Sequence, residues 1–164
     1  MNLIKKHLIE VAYQELSEHR VEKFTLTKLA KLADVSRNTI YNNFVCLDYI
    51  YKGILEEIIV KEISEGCNSS DELLINIVEY ISKHRVLCMN LYYHTMVILK
   101  VSDIIRFINN WFSSYNENQM SENKYMSGCF IIILRDWFDS DLKADDKAIV
   151  AELLDYNKVL KRVG

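Results

Sequence analysis

Residues 24–44 read FTLTKLAKLADVSRNTIYNNF, and this pattern predicts two short helices that meet at a tight corner. Thr25 and Ser36 are N-cap residue types, and each stands just before apolar residues at helical spacing. Asp34 interrupts the pattern between them, and the small side chain of Ala30 allows the two helices to approach closely. We therefore expect one short helix on each side of Asp34.

The second of these helices has two chemically different faces. Ile40 and Phe44 form an apolar inner face, whereas the outer positions carry hydrogen-bonding side chains. A helix that is only solvated would more often carry Lys and Glu there. Arg, Asn and Thr are the residue types that base edges and phosphate oxygens require, so this face is a candidate nucleic-acid contact.

Apolar residues at helical spacing continue on both sides of this corner. The chain has 164 residues with four Gly and no Pro, which favours helices joined by short loops over a sheet with many tight turns. We therefore predict an all-α fold of about nine helices, the fourth capped by Asp48. The expected helices span about 3–16, 26–33, 36–43, 48–63, 71–83, 85–99, 102–115, 124–138 and 144–161.

Charge is divided unevenly along the chain. The net charge is −3, but residues 1–52 hold eight Lys or Arg against six Asp or Glu, a net of +2. A slightly basic head on an acidic remainder suits a small DNA-binding unit carried by a body that avoids DNA. A chance fluctuation of this size is the alternative explanation.

Several classes of protein find no support in the sequence. Cys46, Cys67, Cys88 and Cys129 form no CxxC pair and have no His at metal-ligand spacing, so we expect free thiols, no metal and no cofactor. No catalytic motif is present, and His84 and His94 lack metal-ligand neighbours, so we do not expect an enzyme. The N-terminus does not resemble a signal peptide, and the longest apolar run is too short to span a bilayer. These features predict a cytoplasmic protein without membrane contact.

Residues 24–44 resemble the DNA-binding domain of the TetR family of transcriptional regulators. The family pattern is T-hydrophobic-x-x-hydrophobic-A-x-x-A-G-V-S-x-x-T-hydrophobic-Y-x-x-F, and the similarity extends over about 60 residues. The positions in register are Thr25, Leu26, Leu29, Ala30, Ala33, Val35, Ser36, Thr39, Ile40, Tyr41 and Phe44.

The resemblance implies a DNA-binding regulator with two domains. Residues 1–47 would form a three-helix DNA-binding domain with its helix-turn-helix at about 25–44, and residues 48–164 a helical domain for ligand binding and dimerisation. By this resemblance the protein is a repressor that binds double-stranded DNA at a palindromic operator as a homodimer, with release by a small apolar or aromatic effector. The alternative is a dimeric TetR-like protein-interaction module with weakened or lost DNA binding.

The same resemblance assigns roles to residues of the corner. Arg37 is the candidate for base readout, with a phosphate contact as the alternative, and the Tyr41 hydroxyl is expected on a phosphate unless the ring is a core residue. Asn42 and Asn43 either bind adenine or are solvated. The expected DNA contacts are Thr25, Thr27, Lys28, Ser36, Arg37, Asn38, Thr39, Tyr41, Asn42 and Asn43.

Two positions depart from the family pattern. Asp34 replaces the usual corner Gly, and Asp tolerates the left-handed backbone conformation better than most residues. Leu47 stands where the family usually has a phosphate-binding Lys. We expect weaker non-specific affinity for DNA unless Lys52 supplies that charge.

The remainder of the chain provides weaker signals. Aromatic and sulfur-containing residues suit a pocket for an apolar or aromatic molecule, with ordinary core packing as the alternative. This candidate pocket comprises Cys88, Met89, Tyr92, Tyr93, Met96, Trp111 and Tyr115. Six consecutive hydrophobic residues from Cys129 predict a helix buried on more than one side, which fits a bundle between two subunits. The expected dimer contacts are Phe130, Ile132, Ile133, Trp137, Ile149 and Leu153.

Overall fold

The computed structural model describes residues 2–95 and 128–163, together with the isolated positions 106, 110 and 114. These residues form eight helices and no strand, which confirms the all-helical prediction. The helices are α1 (Leu3–Glu18), α2 (Leu26–Leu32), α3 (Arg37–Asn43), α4 (Leu47–Ile54 and Val60–Ser64, joined by a π-helical turn over Leu55–Ile59), α5 (Ser70–Lys83), α6 (Arg85–Thr95), α7 (Gly128–Asp139) and α8 (Asp146–Val163). The described residues therefore form eight helices, where about nine were predicted. The helix expected over 102–115 lies outside the described residues, except for positions 106, 110 and 114.

The start of α4 differs from the prediction. Asp48 does not cap this helix, because α4 begins at Leu47 and Cys46 is its N-cap, with no side-chain hydrogen bond. Asp48 lies instead in the first turn of α4. A carboxylate there interacts favourably with the positive end of the helix dipole, so Asp48 still supports the start of the helix.

The chain divides into two compact units by its internal contacts. The first unit comprises the described residues of Met1–Glu62 and His84–Ile98, which include α1, α2, α3, most of α4 and α6. Gly53 lies where α4 packs closely on α1, since a Cβ atom at this position would collide with the side chain of Ile9. The buried apolar side chains include Leu8, Ala12, Leu16, Phe24, Leu29, Ile40, Ile50, Ile54 and Leu87.

The second unit comprises the described residues of Ile63–Lys83 and Leu99–Gly164, with α8 packed against α5 and α7. Asn157 of α8 is buried, and its Nδ2 donates to Ser70 Oγ at 2.9 Å and to Asp71 Oδ1 at 2.6 Å. Lys161 Nζ reaches Asp71 Oδ2 at 2.9 Å. These polar contacts hold α8 at the first turn of α5.

The two compact units are defined by packing contacts, whereas the predicted domains, residues 1–47 and 48–164, are defined by the functions expected of them. The boundary between the two units falls inside α4, after Glu62. The predicted functional domains therefore stay a prediction. None of the helices in the described ranges is long and apolar enough to cross a bilayer.

Candidate nucleic-acid interface

The corner between α2 and α3 is built from local hydrogen bonds. Thr25 Oγ1 accepts from the backbone N–H of Lys28 at 3.0 Å, and Ser36 Oγ accepts from that of Thr39 at 3.1 Å. Each bond satisfies one of the backbone donors that a helix leaves free at its start. Thr25 and Ser36 are thus confirmed as the N-caps of α2 and α3.

Asp34 adopts the left-handed conformation at this corner, with φ of 51°. The N–H of Val35 bonds to Ala30 O at 3.0 Å and the N–H of Asp34 to Lys31 O at 3.4 Å. This pair of bonds is the Schellman motif, in which Gly is the usual left-handed residue. The predicted turn therefore forms with Asp34, at the cost of placing an L-residue where Gly would be unstrained.

Helix α3 separates its apolar and polar side chains as predicted. Ile40 is fully buried and Phe44 is 6% exposed, so the inner face belongs to the core. The outer residues Ser36, Arg37, Asn38, Tyr41 and Asn42 are exposed, and Thr39 and Asn43 are half-buried. Five of the seven candidate residues of the second helix are thus exposed, and two are only partly so.

Arg37 and Tyr41 are the two residues of this surface that carry the sharpest predictions. The Arg37 side chain forms no hydrogen bond or ion pair with any described residue, so its guanidinium is available to a partner. Tyr41 is 59% exposed. The alternative of a core tyrosine is therefore wrong, and its hydroxyl is accessible.

Other candidate side chains already have partners within the chain. Asn43 Nδ2 donates to Thr39 O at 2.8 Å, and Asn43 Oδ1 accepts from Asn2 Nδ2 at 3.1 Å, which ties α3 to the start of α1. Ser36 Oγ lies 2.9 Å from Thr39 Oγ1. Asn43 is the least available of the predicted DNA contacts, because both ends of its amide are engaged.

The start of α2 carries the remaining candidate residues. Lys28 Nζ lies 2.6 Å from Glu15 Oε1 of α1, and the Glu15 side chain is only 17% exposed. This ion pair partly neutralises the charge of Lys28, which the TetR resemblance places against a DNA phosphate. Thr25 uses its hydroxyl as the cap of α2, and Thr27 is half-buried.

The segment between α1 and α2 is held by a residue to which the sequence pattern gives no role. Asn90 of α6 is 3% exposed, and its Nδ2 donates to Leu16 O at 2.8 Å and to His19 O at 2.7 Å. Its Oδ1 accepts from the N–H of Val21 at 3.0 Å. Asn90 therefore caps the end of α1. The sequence feature that could have indicated this role is a single amide side chain among the apolar residues of α6.

His94, one turn further along α6, holds the same segment. Its Nε2 lies 2.7 Å from Val21 O, and its ring stacks on Tyr51 of α4 with centroids 6.0 Å apart. Burial, with a smaller contribution from the Asp48 carboxylate, raises the pKa of Tyr51 to about 12. The phenol thus stays neutral and acts as a packing surface, and α6 positions both α1 and α4 of the first unit.

The candidate effector pocket is only partly described. Cys88 and Met89 are buried in the first unit, and burial raises the pKa of the Cys88 thiol to about 12. Tyr92 is half-buried, and the 47% exposed ring of Tyr93 lies under the Arg20 guanidinium at 5.2 Å. The other candidates, Met96, Trp111 and Tyr115, lie outside the described residues, so the pocket stays a prediction.

The candidate dimer contacts require a correction. Four of them are at most 6% exposed in the single chain and belong to the core of the second unit, namely Phe130, Trp137, Ile149 and Leu153. They have no surface left for a second chain. Ile132 is 58% exposed and Ile133 is half-buried, so these two candidates retain accessible surface on α7. Within the chain, the Phe130 ring packs on Tyr156 of α8 with centroids 5.1 Å apart.

Comparison with known proteins does not assign the chain to a family, since no family model matches it and no curated protein matches it significantly. Within residues 2–95 and 128–163, no group of three or more His, Cys, Asp or Glu side chains is arranged to hold a metal ion.

Proposed function

We propose that the protein is a DNA-binding transcriptional regulator whose α2–α3 corner is a helix-turn-helix. The observation that carries this proposal is the outer surface of α3, where exposed Arg, Asn, Thr and Tyr side chains stand over a fully buried Ile40. A rigid helix with donors and acceptors on its outer side fits the major groove, in which each base pair presents a distinct hydrogen-bonding pattern.

The organisation of the regulator follows the TetR resemblance. The first unit supplies the DNA-binding helices, and a homodimer formed through α7 and α8 places two copies of α3 on a palindromic operator, where the protein acts as a repressor. Two copies are needed because one short recognition helix makes few base contacts. The exposed Ile132 on an apolar helix supports an association of this kind.

Release by an effector completes the proposal. The candidate ligand is a small apolar or aromatic molecule, since the described part of the predicted pocket has the aromatic rings of Tyr92 and Tyr93 in edge contact, with centroids 5.7 Å apart. These tyrosines lie on α6, which also carries Asn90 and His94. An effector that displaces α6 would therefore disturb the segment before α2.

A protein-interaction module is the second candidate. Val45 and Tyr49, which are 81% and 55% exposed, lie near the end of α3, and Lys28 is already paired with Glu15. Exposed apolar side chains and a neutralised lysine favour a protein partner over DNA. This candidate predicts no salt-dependent affinity for duplex DNA.

The test is a selection of bound duplexes from a random pool, followed by titrations of variants on the selected and on unrelated DNA. Arg37→Ala should weaken binding to the selected site by about 1–3 kcal/mol and relax the preference at one base position per half-site. Arg162→Ala removes the same charge from the exposed end of α8 and is the matched control. A pool from which no sequence is enriched would reject the proposal.

Tyr41→Phe separates the two kinds of contact. Loss of a hydroxyl bonded to a phosphate should weaken binding equally on selected and random DNA. An unchanged affinity on both would remove Tyr41 from the interface without affecting Arg37.

A further inference from the structure

An open cleft of about 470 Å³ lies between α1 and α4, beside the end of α3. Lys5 of α1 and Lys52 of α4 both line it. The apolar part of its wall includes Phe44, Val45 and Tyr49. The cleft therefore combines two cations from different helices with apolar side chains and the carboxylates of Glu56 and Glu57, next to the helix that we propose to bind DNA.

The Lys5 cation is not neutralised by any described carboxylate. Its Nζ lies 5.8 Å from the centroid of the Phe44 ring, and the side chain is half-buried. A cation held over an aromatic ring keeps its full charge while its stem loses freedom. Lys5 thus presents an ordered positive charge at the cleft.

The Lys52 cation is only weakly engaged. Its Nζ lies 3.7 Å from Glu56 Oε1, and both side chains are well exposed, at 61% and 43%. Exposed pairs of this spacing contribute about 0.3–0.5 kcal/mol, so a stronger anion can replace the Glu56 carboxylate. Glu57, which also lines the cleft, is bound to Lys61 at 2.6 Å.

The cleft lies close in the chain to Leu47, the position at which the TetR pattern has a phosphate-binding lysine. Leu47 is the first residue of α4 and carries no charge, whereas Lys52 lies five positions later on the same helix. Asn43, the last residue of α3, also lines the cleft and bonds to Asn2 just before α1. Lys5 and Lys52 are therefore held beside the end of α3 from two sides.

We infer that Lys5 and Lys52 form a two-lysine site for a phosphate of the DNA backbone, in place of the contact that Leu47 cannot make. This inference rests on the proposed function, because the phosphate belongs to the duplex that α3 binds. Charge complementarity supports this occupant, since a phosphodiester is anionic and neither lining carboxylate neutralises the two lysines fully. Glu57 is paired with Lys61, and Glu56 lies 3.7 Å from Lys52 in an exposed pair. The site adds affinity without adding base specificity.

The experiment measures the dependence of DNA affinity on salt for Lys5→Gln, Lys52→Gln and the double variant. Loss of the single phosphate contact in the double variant should reduce the steepness of log K against log salt by about 0.9. Between about 50 and 200 mM salt, the double variant should therefore lose roughly 3.5-fold less affinity than the wild type, and each single variant should lie between the wild type and the double variant. The preferred DNA sequence should not change.

Lys158→Gln is the matched control, because Lys158 is an exposed lysine of α8 that pairs with Asp155 of its own helix, and neither residue lines the cleft. Its slope should equal that of the wild type. A wild-type protein that binds DNA but shows the same slope after both cleft substitutions overturns the phosphate site and leaves the proposed function intact. An equal drop for Lys158→Gln also overturns it, since the effect is then one of general charge. Absence of any DNA binding by the wild type overturns both.

Discussion

Asn90 is the side chain whose removal should most disturb the first unit. Three backbone groups depend on it, namely the carbonyls of Leu16 and His19 and the N–H of Val21, at distances of 2.7 to 3.0 Å. α1 ends at Glu18, so the two carbonyls lie at the helix end, where backbone acceptors lack intrahelical partners. The structure therefore predicts a large loss of stability from a single substitution.

The magnitude follows from the number of groups left unsatisfied. Asn90→Leu keeps the branching and the number of side-chain heavy atoms, but two buried backbone groups and one part-buried one lose their partner, at about 1–3 kcal/mol each. Allowing for partial solvation, we expect a loss of roughly 3–6 kcal/mol in the free energy of unfolding. This is a large part of the roughly 5–15 kcal/mol that stabilises an ordinary domain.

The assay is urea unfolding of the full chain followed by circular dichroism. With a slope of about 1–3 kcal/mol per molar urea, the midpoint should fall by one molar or more. Asn90→Asp keeps the acceptor for Val21 but places a carboxylate against two carbonyls, so it should be at least as damaging as Asn90→Leu. Asn42→Leu, at an exposed position of α3, should change stability by less than about 0.5 kcal/mol.

One result would refute this reasoning. If Asn90→Leu unfolds within about 1 kcal/mol of the wild type, then water or the relaxed backbone satisfies the three groups, and Asn90 does not hold the segment between α1 and α2.

Three further predictions concern a turn, an ion pair and a helix surface. Asp34→Gly should raise the free energy of unfolding by roughly 0.5–1 kcal/mol in thermal or urea unfolding. The strain that the left-handed conformation imposes on an L-residue is larger than the entropy cost of ordering Gly from the unfolded chain. Asp34→Ala, which keeps the Cβ, should lower the free energy of unfolding. Burial favours a higher pKa for Asp71, but its hydrogen bonds to Lys161 and to a buried amide outweigh that effect and hold the pKa below its usual value. The stability from Asp71 is therefore present above the unfolded pKa near 3.9 and lost as pH falls through the folded value, and urea unfolding of Asp71→Asn should lack this acid-dependent loss. Ile132→Asp should convert a dimer into a monomer of 19.3 kDa in sedimentation, whereas Val86→Asp should not; a wild-type monomer at micromolar concentration would contradict the proposed dimer.

The corner between α2 and α3 was predictable because its determinants are local. Thr25 and Ser36 each bond to a backbone group three residues away, and Asp34 closes a turn whose bonds span three to five residues. Contacts over so short a distance depend on residue type and spacing, which are visible in the chain itself. The exposed outer surface of α3 follows from the same helical spacing.

The partners of the polar side chains required the tertiary structure. Lys28 is a free cation in the sequence, but folding brings it to Glu15, and Asn43 meets Asn2 across 41 positions. Asn90 reaches the end of α1 from more than 70 positions away. Such pairs depend on which helices become neighbours, and periodicity within one helix does not specify its neighbours.

The apolar residues of α7 and α8 show the same division most clearly. Their spacing alone established that both are helices with much apolar surface. It did not establish whether that surface packs within the chain or between chains, because burial removes apolar area from water equally in either case. Only the packing of α8 on α7 and α5 shows that Trp137 and Leu153 lie in the core of one chain, while Ile132 remains exposed on the outside.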